Sequence, residues 1–200
     1  MKVVYVEAPE DLIEQRRRLG LDRMDEVWEG VYHMAPPPAG EHQEVVDELF
    51  VIFRGYVGNH RLGRMRSVTG VRRGPGGKEN YRIPEWVFLR REREELFRPD
   101  TGYVDEGPDV VLEVRSPGDE TDEKIPFYEA VGVRELLLVD RDSREVQVLR
   151  LVAARLSPVS PNPDGWIYCE GLRAFFRRGE RDGRPRLLVR LELDGTEHAV

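Results

Sequence analysis

Apolar residues recur at helical spacing between Glu41 and Val57, where Val45, Val46, Leu49, Ile52, Phe53 and Tyr56 make one broad face. This predicts the main core helix. Pro9 to Gly20 predicts a shorter amphipathic helix on the outside, with Glu10 and Asp11 in its first turn, Arg16 to Arg18 in its last, and Gly20 as a stop. Elsewhere the period is that of strands. Glu26 to Met34 predicts a strand broken at Gly30 and ended by Pro36-Pro37-Pro38-Ala39-Gly40. Strands near Arg64 to Arg73 and Tyr81 to Arg90 form a hairpin through Gly74-Pro75-Gly76-Gly77-Lys78. Next come a strand at Val110 to Arg115, a helix at Glu123 to Ala130, and strands at Glu135 to Asp140 and Glu145 to Leu151. A strand, a helix and a strand in succession imply a right-handed crossover and a parallel pair. The tail predicts a Pro-rich loop, Ser157 to Gly165, then a hairpin with Leu187 to Leu193 as its last strand. There is no internal repeat.

The chain of 200 residues, 40% hydrophobic, is large enough for one domain with a real core and has no stretch that reads as an interdomain linker. A single domain over residues 1–200 is expected. No apolar run reaches the roughly 20 residues of a membrane helix, and the N-terminus lacks the apolar core of a signal peptide. No membrane partner and a cytoplasmic location are therefore expected. The lone Cys169 excludes an intrachain disulfide and a multi-cysteine zinc site, and reads as a buried small hydrophobe.

The net charge of −7 is unevenly spread: residues 1–50 hold twelve acids and five bases. From 51 to 78 the sign reverses, with Arg54, Arg61, Arg64, Arg66, Arg72, Arg73 and Lys78 and no Asp or Glu. Such a patch can track a phosphate backbone, in a strongly salt-dependent way, or can be an ordinary solvated surface. Lysine is scarce, at positions 2, 78 and 124 only, which draws attention to Lys124 as a compact point charge.

The candidate chemistry lies in Gly107-Pro108-Asp109-Val110-Val111-Leu112-Glu113-Val114-Arg115-Ser116-Pro117. An ionised carboxylate inside an apolar strand costs several kcal/mol unless a cation compensates it, so Glu113 needs a partner. Strand alternation puts Asp109, Glu113 and Arg115 on one face and leaves the other wholly apolar. Asp109 and Glu113 stand about 13 Å apart along a strand, too far to share one ion, and Asp109 reads as a surface cap at the start of the strand. Glu85 also interrupts an apolar strand, and beside the Val110 strand it could share a divalent cation with Glu113. Lys124 and Tyr128 share a helical face at i,i+4 near a helix start marked by Pro126, and bring a cation and a phenol toward the carboxylates. A simple Glu113–Lys124 salt bridge fixing the turn is the alternative. His42 on the core helix reads as a structural histidine. Trp28, Trp86 and Trp166 read as core or rim aromatics.

The order Arg82-Ile83-Pro84-Glu85, then Gly107 to Pro117, then Lys124 to Tyr128, then Gly132-Val133-Arg134-Glu135-Leu136-Leu137-Leu138-Val139-Asp140 resembles the Uma-two family of restriction-endonuclease-like proteins, within the PD-(D/E)XK nuclease superfamily. With Glu29-Gly30 and the helix carrying His42, the resemblance covers about 25–152, leaving 153–200 as a C-terminal β extension. It implies a restriction-endonuclease-like α/β fold, a central mixed β-sheet flanked by helices. It also implies Mg2+-dependent (or Mn2+-dependent) cleavage of DNA, with the catalytic lysine moved onto the helix after the strand. Carried over residue by residue, it assigns metal binding to Glu85 and Glu113 and the lysine role to Lys124, with Tyr128 and Ser116 in support and Glu29 as a further acid. Two positions depart from the family pattern. Glu85 stands where the family has Asp, which lengthens the arm by a methylene. Arg115 replaces an apolar residue and puts on the catalytic face a permanent charge that cannot readily act as a base. The loop from Pro117 to Lys124 is also short for the family.

The first functional expectation is a metal-dependent endodeoxyribonuclease using Glu85, Glu113 and Lys124, with Arg61, Arg64, Arg66, Arg72 and Arg73 on DNA. Cutting both strands with one site per chain favours a homodimer. The alternative is a catalytically inactive nuclease-like module that binds nucleic acid or a protein partner through the arginine face. A weaker third is a small-molecule phosphodiesterase using the same site.

Overall fold

A computed structural model describes residues 3–5, 9–34, 40–74 and 80–200. The Pro36 to Ala39 break and the Pro75 to Lys78 turn lie outside the described residues. The chain begins with β1 (Val3–Tyr5), α1 (Glu10–Leu19), β2 (Glu26–Trp28), β3 (Val31–Met34) and α2 (Gly40–Asn59). It continues through β4 (Gly63–Ser67), β5 (Gly70–Arg72), β6 (Tyr81–Arg82), β7 (Trp86–Arg90), a 3-10 helix at Arg91–Leu96, β8 (Phe97–Arg98) and β9 (Tyr103–Asp105). Then come β10 (Val110–Arg115), a 3-10 turn at Thr121–Lys124, α3 (Ile125–Val131), β11 (Glu135–Asp140), β12 (Val146–Val152) and β13 (Arg155–Pro158). The chain closes with β14 (Ile167–Cys169), β15 (Ala174–Arg181), β16 (Arg184–Leu191) and β17 (Glu197–Ala199).

The central sheet is mixed, in the order β13-β12-β11-β10-β7-β4, with β10 and β11 parallel and the other pairs antiparallel. The crossover between β10 and β11 is α3, as the strand–helix–strand pattern requires. One face of the sheet packs on α2: Val110, Leu112 and Val114 join Val45, Val46, Leu49, Phe53 and Tyr56. The other face packs on α3, where Val111, Leu136 and Leu138 meet Phe127, Tyr128 and Val131. The apolar face of β10 thus points to α2, and the face carrying Glu113 points to α3. The fold is the α/β, restriction-endonuclease-like one, a mixed central sheet flanked by helices.

Several elements differ from the pattern-based expectation. Glu26 to Met34 is a hairpin of two strands, because Glu29 and Gly30 both take positive φ and reverse the chain. The hairpin of 64–73 with 81–90 is divided between two sheets: β4 pairs with β7 in the central sheet, while β5 pairs with β6 in a seven-stranded sheet, β1-β3-β2-β6-β5-β9-β8. The two arms cross at Val68-Thr69 and Ile83-Pro84-Glu85, where Val68 has φ 49° and Pro84 has no amide to give to a ladder. The first two residues of the expected Pro-rich loop, Ser157 and Pro158, end β13, which pairs with β12. The last strand is β17, and Leu187 to Leu191 belongs to β16 before it in the four-stranded sheet β14-β15-β16-β17. Phe176, Leu187, Val189 and Val200 of this segment are buried in the same cluster as α2.

Two glycines fix α3 against the start of β10. Gly132 ends the helix at φ 81°, with its amide bonded to Glu129 O and that of Val133 to Tyr128 O. A Cβ on Gly107 would lie 2.1 Å from the Gly132 carbonyl carbon, so only glycine permits the Gly107 amide to reach Val131 O at 2.7 Å. This contact holds Tyr128 over the strand that carries Glu113.

Candidate active site

Glu113 is the fourth residue of β10 and only 3% exposed. Its Oε1 accepts from the Lys124 ammonium at 3.0 Å and from the Tyr128 hydroxyl at 2.5 Å. Burial raises its pKa to about 7, and the nearby Glu26 and Glu85 carboxylates push the same way against Lys124 and Tyr128. Tyr128, fully buried, is held as a phenol well above its ordinary range by burial and by Glu113 and Glu26.

Glu85 occupies the crossing point just before β7. Trp86 pairs with Leu112, and the Glu85 amide donates to Leu112 O at 3.2 Å, so Glu85 lies beside Glu113 in register. His42, in the first turn of α2, places Nε2 2.7 Å from Glu85 Oε1 and Nδ1 3.0 Å from Ser116 Oγ. Ser116 directly follows β10, and its amide donates to Asp119 at 2.5 Å.

Lys124 ends the 3-10 turn with its side chain 13% exposed and lies between two carboxylates, Glu113 and Glu26, the latter at 2.9 Å. Burial alone would drain its proton, yet the two acids raise its pKa above the ordinary lysine value. The two acids thus hold it as an ammonium. Glu26 is 5% exposed, and its other contacts are the Ile83 amide at 2.7 Å and the Trp28 indole N–H at 2.6 Å. Behind this group the Arg82 guanidinium, 2% exposed, is sandwiched between the Trp28 ring at 4.4 Å and the Phe127 ring at 4.3 Å.

The structure brings together Glu85, Glu113, Lys124, Tyr128 and Ser116. Arg115 stands at the rim, with its guanidinium paired to the exposed Asp122. Asp109 is not a surface cap: it is 1% exposed at the far end of β10, where it accepts from the Arg90 amide at 2.8 Å and pairs with Arg134 at 2.8 Å and Arg93 at 3.2 Å. Glu29 lies in the exposed β2–β3 turn and touches Asn80 and Arg82, so it stays outside the group. Of the five arginines expected on DNA, Arg61, Arg64 and Arg73 are exposed. Arg64 pairs with Glu94 at 2.7 Å. Arg66 stacks on Phe97 at 3.7 Å. Arg72 is buried against Asp105 at 2.6 Å and Tyr103, which takes it off the surface patch.

One member of the group, Glu26, is not singled out from the sequence, and another, His42, reads there as structural. Glu26 shares a strand face with Trp28, and its signal is an acid alternating with an aromatic. His42 stands three and four residues before Val45 and Val46, so the buried stripe of α2 already includes it.

The donor set suits a hard cation. Glu85, just before β7, and Glu113, on the adjacent β10, offer carboxylate oxygens, each held through Oε1, and Lys124 is shared by Glu113 and Glu26. Among the described residues no three or more His, Cys, Asp or Glu side chains are arranged to hold a metal ion by themselves. Two carboxylates are the usual protein share for Mg2+, which keeps several of its waters. Among the described residues no helix is long and apolar enough to cross a membrane.

The curated proteins contain no match to this chain. The crystal structure of a protein from Anabaena variabilis, described as a putative nuclease belonging to DUF820, has a TM-score of 0.59 and 20% identity, covering 74% of this chain and 82% of that one. At that identity the likeness is one of fold. The model of the Uma2 family, described as "Putative restriction endonuclease", matches residues 13–179, beyond both ends of the expected 25–152. With the model spanning most of its length, the chain belongs to the Uma2 family.

Proposed function

We propose that the protein is a metal-dependent endodeoxyribonuclease in which Glu85 and Glu113 hold Mg2+ or Mn2+. The observation that carries this reading is the pair of acids side by side, Glu85 just before β7 and Glu113 on β10, with a buried ammonium fixed 3.0 Å from one of them. A divalent cation bound there supplies Lewis acidity and lowers the pKa of water. Lys124 keeps its proton, so its part is to hold Glu113 and to present positive charge to a phosphate. Tyr128 donates to Glu113 and keeps its oxygen directed. The exposed Arg61, Arg64 and Arg73 supply phosphate contacts that position DNA without reading its bases. Cleavage of both strands by one site per chain calls for a symmetric homodimer.

The test is nicking of supercoiled plasmid with Mg2+ or Mn2+, comparing wild type with Glu113→Gln. Loss of nicking in a folded variant, and in wild type with chelator, supports the reading. Folded wild type that cuts no form of DNA with either metal sinks it. That result would favour an inactive module, a reading helped by the closed ion-pair group of Lys124 with Glu26 and Glu113.

A further inference from the structure

Each strand acid is tied down through one oxygen, and the two ties come from opposite sides of the sheet. Lys124 and Tyr128, from the α3 side, hold Glu113 Oε1. His42, from α2, holds Glu85 Oε1 at 2.7 Å. An ionised carboxylate only accepts, so Nε2 of His42 is the donor. In the neutral ring Nδ1 is then an acceptor, and the Ser116 hydroxyl at 3.0 Å donates to it. The chain Ser116–His42–Glu85 thus fixes the ring's tautomer and gives it one orientation. The ring has little room to turn, since His42 is 9% exposed and continues the buried stripe of Val45, Val46 and Leu49.

We propose that His42 is a positioning residue: by holding Oε1 of Glu85 it leaves the other oxygen for a divalent cation shared with Glu113. This rests on the metal-dependent reading above. An outer partner that orients a carboxylate ligand is commonly worth about 10- to 100-fold in metal affinity. Gln and Asn separate the two bonds of the ring. Gln places an amide nitrogen near the position of Nε2 and keeps a donor for Glu85, whereas Asn is shorter and keeps only the Ser116 side.

The experiment is Mn2+ titration followed by the electron paramagnetic resonance of the free ion, on wild type, His42→Gln and His42→Asn, with thermal melting of each. Wild type and His42→Gln are expected to bind Mn2+ alike, and His42→Asn about 10-fold or more weakly with a melting temperature close to that of His42→Gln. Equal affinity of the Gln and Asn variants, with wild type binding Mn2+, overturns the role of His42 and leaves the metal reading standing. No Mn2+ bound by wild type overturns the metal reading and the role of His42 with it.

Discussion

Glu26 meets the Lys124 ammonium at 2.9 Å, and the same carboxylate oxygen accepts from the Ile83 amide at 2.7 Å. The seven-stranded sheet is thereby joined to the turn before α3 through one buried lysine, which also serves Glu113 on the central sheet. Removing the lysine leaves two buried acids without their cation. Lys124→Met is expected to lose about 3–5 kcal/mol in urea unfolding and to abolish plasmid nicking. Adding Glu26→Gln to that variant should restore part of the stability and none of the nicking. Full stability in Lys124→Met alone would show that the buried charges are compensated elsewhere.

The raised pKa of Glu113 gives stability a direction with pH. Its folded value, about 7, lies above the ordinary carboxyl value of 4.5, so the folded state holds this proton more tightly. The contribution is fully present below about 4.5 and is lost as pH rises through about 7. In chelator, wild type should lose stability over this interval relative to Glu113→Gln, as chemical denaturation at a series of pH values would measure. Identical slopes for the two proteins would remove Glu113 as the source.

The two glutamates near the β2–β3 turn have opposite expectations. Glu29→Ala removes a side chain 68% exposed and should change stability by less than about 0.5 kcal/mol, with nicking unchanged. Glu26→Ala removes the partner of Lys124 and two further bonds, and should cost about 2–4 kcal/mol and most of the nicking activity. Comparable effects at both positions would contradict this division.

How much of this the sequence carries depends on how local the cause is. Strands β10 and β11 are legible because alternation and apolar runs act within six residues, and Glu113 stands out as the acid in such a run. Lys124 and Tyr128 follow the strand closely enough for spacing to bring them back to it. His42 makes its contacts with residues 43 and 74 positions away, which no local periodicity reports, and its place on an apolar stripe reads equally well as core. Glu26 is hidden in the sequence because Glu29, beside a glycine in the turn, is the acid to which the family resemblance points. Arg72 shows the same limit from the other side: a run of basic residues does not tell which alternate member turns inward to meet Asp105.

Within the basic segment the effects of substitution should divide by burial. Arg61→Glu and Arg64→Glu should weaken DNA binding across sequences and flatten its salt dependence, with melting nearly unchanged. Arg72→Ala strands the buried Asp105, whose other partner is Arg98, and should cost about 3 kcal/mol. Fluorescence anisotropy at several salt concentrations, beside thermal melting, separates the two classes. A binding loss from Arg72→Ala without destabilisation would place that side chain on the surface after all.

The contacts that join β2, the first turn of α2, the crossing before β7 and the turn before α3 are all distant in sequence. Contacts of long sequence separation form late, because the loops between them must close first. On refolding from urea, helical circular dichroism should therefore return before nicking activity does. The interval between the two would time the docking of the last of these segments, and a protein regaining both together would have assembled its site along with its core.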